Sequence, residues 1–177
     1  PLENETVIEM DPGMAFGTGT HETTKMCAQF LDKYLKPGDR VIDVGCGTGI
    51  LSIIAAKLGA GEITAVDIDE VAVNVTKDNC TRNNVDSRIN AFRGELGDIE
   101  RNKADIVVAN IIANVIIDIS KLLPYYIKTG GLLVTSGIIK DRKQDVLDAC
   151  QSQGFVCEDT MEMGEWVAIL FKCQNSL

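Results

Sequence analysis

The sequence predicts a doubly wound α/β fold, a mostly parallel sheet with helices on both faces that ends in an antiparallel hairpin. Three observations lead there. Apolar strand-like runs alternate with helical segments between residues 40 and 151, and such alternation requires crossovers that make neighbouring strands parallel. A buried strand, a glycine turn and an apolar helix follow one another at 41–51. The last two apolar runs, 155–161 and 166–172, are joined only by Glu162-Met163-Gly164-Glu165, too short a link for a crossover. A length of 177 residues with 45% hydrophobic content suits one domain.

Residues 10–20 (MDPGMAFGTGT) hold four glycines or prolines and read as an ordered loop able to approach a ligand closely. In 21–35, Met26, Phe30 and Tyr34 recur every fourth residue with Cys27 and Leu31 alongside, one face of a helix that Lys36-Pro37-Gly38-Asp39 ends. Residues 40–44 then form a strand, 49–58 a helix, 62–67 a strand and 70–83 a helix. A weaker strand follows at 88–92 and a strong one at 104–110, and a helix at 112–123 is closed by Pro124. A strand at 131–136 and a helix at 140–151, ending near Gly154, complete the alternation. With no internal repeat or low-complexity linker, 1–20 reads as an N-terminal segment with a glycine-rich loop, and 21–177 as the domain proper.

A formal charge of −9 and a pI near 4.6 argue against a surface that tracks phosphates, so no direct nucleic-acid contact is expected and a basic partner fits better. The six cysteines form no C-x-x-C pair and read as reduced, mostly buried thiols. His21 is the only histidine, and the cysteine spacings match no common metal framework, so no metal is expected. The most apolar stretch, 106–123, is broken by Asn110, Asn114, Asp118 and Lys121, which a bilayer-spanning helix of about 20 residues would not accommodate. No secretory signal opens the chain, so a cytoplasmic location is expected. The chain also lacks an initiator Met, which fits a processed chain or an excised fragment.

The strongest local signal is Asp43-Val44-Gly45-Cys46-Gly47-Thr48-Gly49. Alternate glycines let a ligand approach the backbone at a helix N-terminus, but the spacing is G-x-G-x-G, not the dinucleotide G-x-G-x-x-G. The tighter turn preceded by Asp43 suits a ligand without phosphate, and Asp43 can attract a cationic group such as the amine of a methionyl moiety. Asp67 ends the second strand, where an acidic side chain can accept hydrogen bonds from both hydroxyls of a ribose. Asp69 reads as a helix N-cap. His21 reads as a structural residue at a helix start.

These features together resemble the class I S-adenosylmethionine-dependent methyltransferases. Residues 10–24 (MDPGMAFGTGTHETT) and 107–113 (VVANIIA) are similar to stretches of the ribosomal protein L11 methyltransferase family, over nearly the whole chain. The resemblance implies a Rossmann-like sheet, S-adenosylmethionine as cofactor and methylation of amino groups on a basic ribosomal protein, L11-like, by a monomer. It places cofactor contacts at Thr24, Gly45, Asp67 and Asn110, with Gly47 and Asp43 beside them and Phe16 and Thr18 of the glycine-rich loop over the methionyl part. Asn110 is the catalytic candidate, orienting the substrate amine, and Gly94-Glu95 after the third strand fall where class I enzymes often contact adenine. The resemblance further implies an N-terminal recognition domain outside this sequence.

Three other classes fit parts of the pattern. A nicotinamide-dependent oxidoreductase shares the glycine turn and Asp67, but lacks its own glycine spacing and a visible hydride-acceptor site. A class I methyltransferase acting on a small molecule or another protein, and a cofactor-binding domain without catalysis, fit the same residues. Asn110-Ile111-Ile112-Ala113 lacks the Pro-Pro-aromatic continuation of enzymes that methylate amides and bases, which favours an amine.

Overall fold

The computed structural model describes residues 5–11 and 19–177. In chain order its elements are α1 (Glu22–Tyr34), β1 (Arg40–Val44), α2 (Ile50–Lys57), β2 (Glu62–Asp67), α3 (Glu70–Arg82), β3 (Ile89–Arg93), β4 (Ala104–Asn110), α4 (Ala113–Ile119), β5 (Ile127–Ile139), α5 (Lys143–Gln151), β6 (Phe155–Met163) and β7 (Trp166–Cys173). The strands make one sheet in the order β3-β2-β1-β4-β5-β7-β6. The first five run parallel, and β7 inserts antiparallel between β5 and β6.

Alternation along each strand sends successive side chains to opposite faces, and this divides the core in two. Val41, Ile63, Ala65, Ile106 and Val108 pack beneath α1, α2 and α3 with Met26, Phe30 and Ile53. Ile42, Val44, Val66, Val107 and Ala109 face α4 and α5 with Ile116 and Val146. Phe30 is fully buried, and its truncation to Ala costs about 3–5 kcal/mol. Central β7 is buried along most of its length, whereas edge strand β6 is only partly covered, the pattern expected of a hairpin whose outer strand meets water.

The predicted architecture is the observed one, with local differences. α4 stops at Ile119 instead of 123, and Pro124 sits within a separate 3-10 turn, Leu123–Tyr125, whose fixed proline φ suits that tighter turn. β5 begins at Ile127, not 131: Ile127 pairs with Ala104 before a register shift, so Thr129-Gly130-Gly131 is irregular strand and not a turn. Residues 140–142 form a 3-10 turn ahead of α5. Between β3 and β4 a 3-10 turn, Leu96–Asp98, is the only helical element.

Candidate functional site

β1 is the point where strand order reverses, with β2 on one side and β4 on the other. Crossovers that leave in opposite directions open a crevice at the carboxyl ends of these strands. A cavity of about 740 Å³ lies there, lined by the glycine turn, Asp67 and Asn110 and by Thr24 of α1.

The turn is shaped by its glycines. Gly45, Gly47 and Gly49 all have positive φ, at 74°, 57° and 82°, a region that side chains disfavour. A Cβ on Gly45 would stand 2.4 Å from Ile111 Cγ2, so only glycine lets the turn pass the end of β4. The Gly45 and Cys46 N–H groups donate to Val66 O at 2.8 and 3.0 Å, which ties the turn to β2.

Asp67 closes one end of the crevice. Its Oδ2 accepts from Gly47 N and its Oδ1 from Asp69 N, both at 3.0 Å. A carboxylate has about four acceptor positions, so each oxygen keeps capacity for a hydroxyl after these bonds have fixed its orientation. Asp69 is the N-cap of α3, accepting from Val71 N at 2.9 Å, as its place in the sequence predicts. Gly94 and Glu95 line the crevice near this end, where Gly94 N donates to Asp67 O at 3.0 Å, along with Ile68. Ile68 adds apolar surface there.

Thr24 and Asn110 stand together at another part of the same cavity. Asn110 Nδ2 donates to Thr24 Oγ1 at 3.3 Å, and no described residue donates to Asn110 Oδ1. His21 caps α1: its Nδ1 accepts from Thr23 N at 3.2 Å, and its ring packs edge-on against Trp166 with centroids 5.1 Å apart. It lines the crevice as a structural residue of the helix start.

Asp43 belongs to the crevice lining and to its support. It is 1% exposed, and its Oδ2 accepts from Ser52 Oγ at 2.6 Å, anchoring the first turn of α2. Burial pushes its carboxyl up to about 6, against the stabilising Ser52 bond and with a smaller contribution from the negative charge of Asp67.

The structure thus brings together Thr24, Asp43, Gly45, Gly47, Asp67 and Asn110 around one cavity. Phe16 and Thr18 lie outside the described residues. Sequence reasoning missed Trp166, because nothing in a terminal hairpin's alternation signals that its first residue reaches a crevice formed by β1 and β4.

The strand order, with a reversed strand inserted beside β5, and a crevice over a glycine turn define a class I methyltransferase fold. The crystal structure of ribosomal protein L11 methylase from Lactobacillus delbrueckii subsp. bulgaricus matches with a TM-score of 0.90 at 30% identity, covering 99% of this chain and 90% of that one. The chain belongs to the ribosomal protein L11 methyltransferase (PrmA) family, whose model matches residues 1–174. A ribosomal protein L11 methyltransferase of Acetivibrio thermocellus is 67% identical over 175 residues, 99% of this chain and 56% of the relative. Another, of Ruminiclostridium cellulolyticum, is 59% identical over 179 residues, all of this chain and 57% of the relative. The chain therefore spans little more than half the length of the curated relatives it matches.

Proposed function

We propose that the crevice binds S-adenosylmethionine and that the domain transfers its methyl group to amino nitrogens of a ribosomal protein, the L11 substrate that its relatives' names carry. One observation carries this reading: Asp67 and the Thr24–Asn110 pair line a single cavity with the open glycine turn, acceptors for a diol and a polar pair for the reacting end. Family membership supports it.

The cofactor, when bound, supplies an activated methyl and its own leaving group, so the protein needs no covalent nucleophile. Asp67 accepts from the ribose hydroxyls, and Gly45 and Gly47 allow backbone contact. Thr24 meets the methionyl end near the N–H groups of the first turn of α1, and the negative Asp43 beneath the turn favours a cationic ligand. Asn110 Oδ1 accepts from the incoming amine and points its lone pair along the transfer direction. An ordinary Lys amine, with a pKa near 10.4, must lose its proton first, and the apolar Ile111, Ile112 and Val115 around Asn110 disfavour the ammonium form. The domain acts as a cytoplasmic monomer on a basic protein, without nucleic-acid contact, in keeping with its charge of −9. Substrate choice draws on a recognition domain outside these residues, as the greater length of the relatives suggests.

Calorimetry with S-adenosylmethionine and with NAD tests the cofactor. Binding of the first and not the second is expected, and the reverse result overturns the reading. Transfer of radiolabelled methyl to purified ribosomal proteins tests the substrate. Label on L11 amines is expected, strong with the full-length protein and weak with this domain, and absence of label from L11 with the full-length protein overturns it.

A further inference from the structure

Buried polar residues on a helix require a partner, and α3 with its C-cap carries three on the face turned to the glycine turn: Thr76, Asn79 and the cap residue Asn83, exposed by 0%, 0% and 4%. Asn is a poor helix former, so a buried Asn79 in the interior, followed one turn later by a buried Asn83 at the C-cap, calls for a specific cause. The cause is the segment that leads into the domain. Asn83 Oδ1 accepts from Glu9 N at 3.0 Å while its Nδ2 donates to Glu9 O at 2.7 Å. Asn79 repeats this with Asp11, at 2.9 and 3.0 Å. Each carboxamide thus pairs with a peptide as a neighbouring strand would. The registers agree: four helical residues advance about 6 Å and two extended residues about 6.6 Å.

The same helix face also holds the glycine turn. The Asn79 Nδ2 group makes a second bond, to Thr48 O at 3.0 Å, and Thr76 Oγ1 donates to Gly47 O at 3.0 Å. Asn79 therefore ties the lead segment and the turn to a single side chain. Neither Asn79 nor Asn83 is among the residues lining the crevice.

We infer that Asn79 and Asn83 are positioning residues for the cofactor, coupling the docking of residues 9–11 to the geometry of the glycine turn. This rests on the reading of the crevice as an S-adenosylmethionine site. Coupling is reciprocal: whatever factor the docked segment adds to cofactor affinity, the cofactor adds to the docking of the segment. Asn83 tests this best, because its bonds reach only Glu9 and its own helix and leave the turn untouched.

The experiment combines calorimetry with hydrogen exchange on wild type, Asn83→Ala, Asn79→Asp and Val146→Ala. Val146 is buried in α5 on the opposite face of the sheet, so its truncation destabilises the fold without touching α3. Loss of the two neutral hydrogen bonds to Glu9 in Asn83→Ala, with a third to Asn79 O inside the helix, is expected to free residues 5–11 for exchange and raise the Kd for S-adenosylmethionine about three- to tenfold. In wild type, the cofactor should raise protection of Glu9 and Asp11 by a similar factor. Asn79→Asp keeps the acceptor for Asp11 N but turns a carboxylate oxygen on two carbonyls, and about tenfold or more is expected. Val146→Ala should leave the Kd unchanged. The inference is overturned if Asn83→Ala binds as wild type does, whether or not residues 5–11 open, or if Val146→Ala weakens binding equally. Failure of wild type to bind S-adenosylmethionine would instead overturn the cofactor assignment itself. Should Asn79→Asp fail to fold, Asn83→Ala decides alone.

Discussion

Asn110 Nδ2 donates to Thr24 Oγ1 across 3.3 Å, joining the end of β4 to the first turn of α1 over 86 residues of sequence. The bond fixes which way the carboxamide faces: with Nδ2 committed to α1, Oδ1 is the atom left for a ligand. Two elements that the chain separates widely are thereby made parts of one site.

Asn110→Ala should lower the methyl-transfer rate about 100-fold while changing the Kd for S-adenosylmethionine by only a few-fold, since orientation of the amine matters most in the transition state. Thr24→Val should slow transfer about tenfold by releasing the carboxamide, and the double variant should be no slower than Asn110→Ala alone. Single-turnover kinetics with the full-length protein measures all three, and additive losses would show that the two residues act separately.

Asp67→Asn keeps the shape of the side chain but removes the charge and half of its acceptor capacity. Hydrogen bonds to a charged group are worth about 1.5–3 kcal/mol, so the Kd for S-adenosylmethionine should rise about ten- to hundredfold. Calorimetry reads this directly, with circular dichroism to show that the fold persists.

Gly45→Ala combines positive φ with a Cβ only 2.4 Å from Ile111 Cγ2. About 2 kcal/mol or more of stability should be lost in urea titrations, together with cofactor binding. Adding Ile111→Ala should recover part of that stability, because it removes the clash and leaves only the backbone strain. A double variant less stable than Gly45→Ala would refute the steric account.

Asp43 gives a pH dependence of defined sign. Burial holds its folded carboxyl up to about 6, above the ordinary 3.8 of the unfolded chain. Between these values the folded state binds more protons than the unfolded one, so stability falls as pH rises from about 4 to about 6 and levels off above. The difference amounts to about 3 kcal/mol. Urea titrations of wild type and Asp43→Asn across this window should diverge accordingly, with wild type losing ground as pH rises. Parallel curves would mean that Asp43 titrates normally.

The alternation of apolar runs with helical periodicity determined the strand and helix inventory, because local burial leaves its period in the sequence. Residues 40–44, 62–67 and 104–110 coincide with β1, β2 and β4. The glycine turn and Asp67 were legible for the same reason: the backbone geometry they serve is local to a strand end. Elements set by pairing were not. β5 extends back to Ile127 only because Ala104 lies opposite it, and Lys128-Thr129-Gly130-Gly131 carries every local sign of a turn.

At the level of sequence only the family resemblance put Thr24 and Asn110 in one site, and tertiary structure decided how such distant residues meet. Nothing near Asn110 in the chain announces Thr24, and nothing near Asn79 and Asn83 announces Asp11 and Glu9. A carboxamide in a helix looks like a solvated side chain until another segment brings it a peptide to pair with. Trp166 meets His21 only because β7 turns back beside β5. Periodicity and turn chemistry act within a few residues, so the sequence by itself determined the elements and the turn. The partners of the buried polar groups depend on how the crossovers stack those elements, and only the folded chain fixes them.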